Sequence, residues 1–195
     1  MMGREEIIEL TRSSLREPRA AAQTIMSMNL GRDVLWTALA LVAAINTFVL
    51  VVVVTASTPA FPLPGYFDKP LTMFVLIAGL MVVYVHAIYW SGLAIGGQGH
   101  LMDVVAVVVW FQLLRAVAQV AIVLLSLAIP AAGTLLSFVV AIWGLWMFLN
   151  FIAAALNLNS AWHAVAVVAV AFAGLVIGLG TLMALIGGFA QGVLN

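Results

Sequence analysis

The sequence has no cysteine and almost no charge: Lys, Arg, Asp and Glu make up 7% of its 195 residues. Without cysteine there are no disulfides, no thiolate chemistry and no cysteine-ligated metals, and the redox compartment stays undetermined. So little charge excludes an ordinary soluble domain, whose surface carries roughly 25% charged residues. Seven basic and seven acidic side chains give a formal net charge of zero. No basic field therefore favours nucleic acid, and no acidic tail is present. His86, His100 and His163 are too scattered for a metal motif, and no HExxH spacing occurs. Ser160 and His163 lie three apart at an expected helix start, where Ser160 reads as an N-cap and no acid completes a triad. Gly96-Gly97-Gln98-Gly99 lacks the Lys-Ser/Thr ending of a phosphate loop and reads as a helix stop. The expectation is a non-enzymatic chain with no cofactor and no metal.

What the chain has in abundance is apolar surface: 66% of its residues are hydrophobic, and its mean hydropathy is +1.24. Only hydrocarbon tolerates such a surface. Five apolar runs, at about 34–55, 71–95, 104–129, 135–156 and 162–186, each exceed the roughly 20 residues that cross a bilayer as a helix. Barrel strands would be shorter and would alternate, which these runs do not. The expected fold is all-α: a polytopic membrane bundle of five transmembrane helices (34–195), preceded by short amphipathic helices in an interfacial segment (1–33). About thirty polar and amphipathic residues before the first run are too many for the charged region of a cleavable signal, so that run reads as a retained span.

The punctuation fits five spans. Pro59, Pro62, Pro64, Gly65, Asp68, Lys69 and Pro70 separate the first two, Pro130 with Ala132-Gly133-Thr134 the third and fourth, and Asn157-Leu158-Asn159-Ser160 the last two. Small-residue pairs Ala40/Ala44, Gly92/Gly96, Ala169/Ala173 and Gly174/Gly178 mark packing seams within the bundle or between copies. Five arginines, Arg4, Arg12, Arg16, Arg19 and Arg32, precede the first span, and the later links hold a single Lys. The positive-inside rule then places the N-terminus in the cytoplasm and the C-terminus outside. In the first segment Ile7, Ile8, Thr11 and Leu15 share one helical face. Pro18 opens a second helix in which Ala22, Ile25 and Met26 share another. Both helices are expected near the headgroups, with their arginines facing anionic lipid.

Arg115 is the one charge deep inside a span, roughly 16 Å from the expected start of the third helix. A central Arg costs at least ~2.5 kcal/mol on insertion scales, so it should face the bundle and find acceptors. Gln112 and Gln119 lie on its face, and Asn46, Tyr84, Tyr89 and Asn150 are candidate acceptors. Three readings stay open: a polar clamp between helices, an anion or lipid-headgroup site, or a residue nearer the headgroups than its spacing implies. His86, alone in the second span without titratable partners, reads as a hydrogen-bonded structural residue rather than a proton relay.

The order of features resembles bacterial members of the Yip (Ypt-interacting protein) domain family of five-span membrane proteins. The residues that carry it are Leu15-Arg16-Glu17-Pro18-Arg19-Ala20, the pair Gly96-Gly97 closing the second span, Trp143 with Trp146, and Leu156-Asn157-Leu158-Asn159-Ser160. The resemblance covers nearly the whole chain. It implies a membrane-organising or interaction protein of the inner membrane that binds lipids and another membrane protein or its own copy. Eukaryotic members partner Rab-type GTPases in vesicle traffic. This sequence lacks their long cytosolic segment and Asp-Leu-Tyr-Gly-type motif, which argues against GTPase binding, and His163 stands where bacterial relatives carry a basic residue. A small transporter or permease subunit with a polar interior around Arg115 is the alternative expectation.

Overall fold

In the computed structural model the described residues are 3–56 and 69–193. They form seven helices: α1 (Arg4–Arg16), α2 (Pro18–Ser27), α3 (Arg32–Ala56), α4 (Pro70–Ala94), α5 (Leu101–Ala128), α6 (Pro130–Ala155) and α7 (Ala161–Val193). Five of them, α3 to α7, are long and apolar enough to cross a membrane. The Pro-rich stretch from Pro59 to Asp68 lies outside the described residues.

Local chemistry sets the helix ends. The only three described residues with positive φ are Asn29, Gly96 and Asn157, and each follows a helix as its left-handed cap. After α4, Gly97 N–H donates to Gly92 O (2.8 Å) and Gly96 N–H to Leu93 O (3.1 Å). After α6, Leu158 N–H donates to Ala153 O (2.8 Å) and Asn157 N–H to Ala154 O (3.2 Å). These paired bonds satisfy carbonyls that a helix end leaves free, and glycine or asparagine takes the left-handed position at least cost.

Three boundaries differ from the sequence reading by three residues or more, one of them the end of α7, which runs on to Val193 instead of stopping near 186. The fourth span begins at Pro130 instead of 135, because Ile129 alone breaks the chain. The residue before a proline is driven to extended backbone, and Ile129 has φ −142°, ψ 92°. Pro130 then starts α6 as its first residue. A Cβ on Gly133 would collide with the Ser126 side chain and Cα, so glycine permits this tight hairpin. The third span begins at Leu101 instead of 104, because the Asp103 carboxylate accepts the His100 N–H (3.3 Å) and adds a turn.

α5 packs on α3 and α6, α4 on α3 and α7, and α2 lies across α5 and α6. The two turns after α4 and α6 meet: Gln98 N–H donates to Leu156 O at 3.0 Å. We call the end of the bundle that carries these turns and α2 the docked end. Here α5 is enclosed on every side, with Val104, Val105, Val107 and Val108 fully buried. Around it stand Val85 and Ile88 from α4, Phe151 and Ile152 from α6, Ala164 and Val167 from α7, and Ala21, Ala22 and Ile25 from α2. Toward the far end the helices present Leu71, Val75, Leu124, Leu127, Leu135 and Ile177 outward, as a surface facing lipid tails requires. All six Trp lie in the halves of their helices nearer the docked end.

The N-terminal helices make contacts that the spacing alone does not show. α1 buries Leu10 and Ser14, and leaves exposed the Ile7, Ile8 and Leu15 face that the spacing singles out. α2 buries Pro18, Ala21, Ala22 and Ile25 against the bundle. Among the small pairs only Gly92 sits in a close contact, where its Cβ would strike the Leu156 side chain. Ala40, Ala44, Ala169, Ala173, Gly174 and Gly178 lie on the exposed surface, so those seams hold nothing together within the chain.

The junction of the two turns is tight enough to test. A Cβ on Gly99 would collide with Ala155 O and stand 2.8 Å from Leu156 Cα, whereas one on Gly79 meets nothing. Gly99→Val is expected to cost about 1–3 kcal/mol as overpacking and to lower the melting temperature in detergent. Gly79→Ala should be neutral or stabilising by up to about 1 kcal/mol. Equal melting of both variants would show that the junction tolerates separation.

Candidate functional site

With α5 starting at Leu101, Arg115 lies fourteen residues along it, about 21 Å from the docked end. Asn46 is equally far along α3, and the two meet: Arg115 Nη2 donates to Asn46 Oδ1 at 2.7 Å. Asn46 is held in place by its own Nδ2, which donates to Val42 O (2.9 Å). This is the one polar partner that the described residues give Arg115, and no carboxylate joins it. The guanidinium carries five N–H donors and a charge that never leaves. One neutral amide leaves most of those donors and the whole charge uncompensated.

Arg115 lines a cavity of about 710 Å³ between α5 and α6. On α5 its wall is Phe111, Leu114, Ala118 and Ile122, and on α6 Val140, Ala141, Gly144 and Met147. Gln119 and Ser137 are polar points in an otherwise apolar wall. Thr11 and Leu15 of α1 close one side. A second cavity, of about 420 Å³, shares Thr11 and Leu15 and is lined beyond them by Ile7, Ile8, Arg12 and Arg16. The exposed arginines of α1 therefore stand one cavity away from Arg115, although a hundred residues separate them in sequence.

Two indole donors fix α1 in this position. Trp110 Nε1 donates to Ser14 Oγ (2.9 Å), and Trp143 Nε1 donates to Leu15 O (3.1 Å). Ser14 Oγ in turn donates to Leu10 O (2.7 Å), so its fully buried hydroxyl both gives and accepts. Trp143 also meets Trp146 edge to face, 5.6 Å between centroids. Sequence reasoning assigned no role to Ser14, Trp110 or the Trp143 indole. The available signal was that an indole N–H inside an apolar helix needs an acceptor.

The other polar residues separate. Asn150 does not reach Arg115: its Oδ1 accepts from Arg19 Nε on α2 (3.3 Å). Gln112 Oε1 is buried without a partner. His86 donates from Nδ1 to Val82 O (2.8 Å) and stacks on Trp36 at 6.0 Å, as a structural histidine does. Ser160 Oγ and His163 Nδ1 lie 2.8 Å apart just before and within the first turn of α7. Arg4, Arg12, Arg16 and Arg32 are exposed, and Arg19 is half-buried beside Asn150. Among the described residues no three His, Asp or Glu side chains gather to hold a metal ion.

Compared with known proteins, the chain matches the family model described as the Yip1 domain over residues 12–183. The match takes in α2, α3 to α6, α7 as far as residue 183, and the Arg115 cavity except for Thr11. No curated protein and no solved structure matches.

The Arg115–Asn46 contact should behave as a coupled pair. Asn46→Leu strips a cation of its amide and should cost about 1.5–3 kcal/mol, the range for a hydrogen bond to a charged group. Arg115→Leu removes the charge itself, and the double variant should lose less than the sum of the two. Denaturant titration in micelles reads all four proteins. Strict additivity would mean that the contact is absent in solution.

Proposed function

The chain belongs to the Yip1-domain family of integral membrane proteins, and from that premise we propose a non-enzymatic membrane-organising protein that works by holding lipid and protein partners. The observation that carries this reading is the state of α1. It is pinned to the bundle by Trp110 and Trp143, yet it presents Ile7, Ile8 and Leu15 together with Arg4, Arg12 and Arg16 to the outside. A helix held in place while showing both an apolar stripe and a row of cations is suited to the headgroup layer. It is equally suited to a partner that meets the protein there.

The proposed setting rests on the charges for orientation and on the resemblance to bacterial relatives for the membrane. The arginine-rich end faces the cytoplasm by the positive-inside rule, the C-terminus lies outside, and the bilayer is a bacterial inner membrane. The exposed small-residue faces of α3 and α7 offer a second copy or another membrane protein a close approach. GTPase binding is not part of the proposal. The transport reading has less support, because a solute path needs its polar groups to line one channel. Here Asn150 is engaged by Arg19 and His86 by a carbonyl of its own helix.

Reversing the exposed charges of α1 tests the proposal without removing its buried residues. The Arg4→Glu/Arg12→Glu/Arg16→Glu variant should elute from a sizing column like the parent chain. After mild detergent extraction it should lose the protein and lipid partners that the parent retains. Identical recovery from both proteins, or a partner-free parent, would refute the role assigned to α1.

A further inference from the structure

We propose that the α5–α6 cavity is a binding site for one anionic glycerophospholipid. One acyl chain occupies the furrow and the phosphate pairs with Arg115 beneath α1. The inference deepens the lipid-holding role proposed above, and it rests on four features of the molecule.

The first is the unbalanced charge. Among the described residues Arg115 has one neutral hydrogen-bond partner and no carboxylate. Arg115 is exposed on the surface of the bundle, not enclosed by it, so lipid surrounds it there. A guanidinium so placed requires a counter-ion, and the phosphate that every phospholipid carries fits its planar fork of donors. The second is the cavity. About 710 Å³ lies inside the roughly 300–1,000 Å³ range of ligand clefts. In a membrane an apolar furrow of this size is filled by hydrocarbon, since nothing else there is apolar and mobile.

The third feature is depth. Trp favours the headgroup boundary, and Trp110 meets the amphipathic α1 through Ser14. From Trp110 to the far end of α5 at Ala128 is eighteen residues, or about 27 Å, close to the roughly 30 Å thickness of the hydrocarbon. The bilayer boundary on the docked side thus passes near Trp110. Arg115 lies only five residues, about 7.5 Å, below it, within the reach of an Arg side chain that stretches toward headgroups. The fourth is continuity. The neighbouring cavity with Arg12 and Arg16 shares Thr11 and Leu15 with this one. The rest of a headgroup therefore extends from Arg115 toward further cations and the membrane surface. Charge and shape together select an anionic lipid over a zwitterionic one.

The test uses the purified full chain and native mass spectrometry in detergent containing equal amounts of dioleoylphosphatidylglycerol and dioleoylphosphatidylcholine. The parent should carry one lipid per chain, with the glycerol lipid in excess. Arg115→Gln should reduce that preference about fivefold, the factor expected for one basic side chain near anionic lipid, and Arg115→Lys should keep most of it. Gly144 supplies a variant that leaves the charge alone. It lines the cavity, and a Cβ there meets nothing within 4 Å. The Cβ of Gly144→Leu has free space and its remaining atoms have the cavity to enter. The variant is therefore expected to fill the furrow and lose both lipids, with a melting curve like the parent's as the check that it folds. Unchanged lipid binding by Gly144→Leu, equal binding of the two lipids by the parent, or a lipid-free parent dimer would each overturn the site. So would an unchanged preference in a folded Arg115→Gln. If Arg115→Gln does not fold, Gly144→Leu decides. Should the cavity variants bind lipid like the parent while charge reversal on α1 still abolishes partner capture, this site fails and the broader role stands. The opposite pair of results separates them the other way.

Discussion

The junction of two turns at the docked end decides where every other part of this protein lies. Gly97 and Gly99 rest directly on the backbone of Ala155 and Leu156, and Gln98 N–H donates to Leu156 O. That contact ties the α4–α5 turn to the α6–α7 turn. With four helix ends gathered there, the first turns of α5 are enclosed, and Val104 to Val108 lose contact with solvent and lipid alike. The enclosure in turn gives α2 a surface to cover with Ala21, Ala22 and Ile25. α1 precedes α2 with only Glu17 between them, so docking α2 brings α1 beside Trp110 and Trp143. The Arg115 cavity is what remains beneath it. A bilayer provides no hydrophobic drive for helix association. A core gathered at one end, where α1 and α2 can shield it, draws on burial in a way that mid-membrane packing does not.

Much of the fold was legible in the sequence because length and hydropathy alone identify a spanning helix. The five runs, the Gly96 and Asn157 stops and the Pro130 break all have local causes. Two of the boundaries that moved, at Leu101 and Pro130, moved by one capping carboxylate and one proline, which composition windows do not resolve. The face of α1 was harder to read. Periodicity selects Ile7, Ile8 and Leu15 as its apolar stripe, and the face that docks on the bundle is a different one, Leu10 and Ser14. A serine is buried there because Leu10 O and the Trp110 indole use its hydroxyl in both directions. Such a preference depends on a residue 96 positions away and leaves no trace in the spacing of α1 itself.

The candidate site was legible in part for the same reason. Asn46 stood among the possible acceptors of Arg115, and depth alone, equal along α3 and α5, suffices to pair them. Asn150 stood among them too, but it lies five residues from the docked end of α6, about 7.5 Å against about 21 Å for Arg115. Depth therefore separates the two, and Asn150 meets Arg19 of α2 instead, a partner from outside the spans. The cavity was invisible for a further reason. It is made by small residues, Ala118, Ala141 and Gly144, and in a chain this rich in alanine and glycine those positions stand out only once the helices are packed.

The two N-terminal helices are held with unequal strength, and this bears on how the cavity can change. α2 contributes Pro18, Ala21, Ala22 and Ile25 to the buried surface. α1 contributes one buried apolar side chain, Leu10, together with Ser14. Burying a leucine is worth about 1.5–3 kcal/mol, and each indole hydrogen bond adds about 0.5–1.5 kcal/mol net. Segments with few buried apolar contacts open first, so α1 loosens before α2 and before any span. Because Thr11 and Leu15 form walls of both cavities, that motion would open the Arg115 cavity toward the headgroups without disturbing the core around α5. The exposed Arg12 and Arg16 would then be the first groups met by whatever enters, with Arg115 the cation at the bottom.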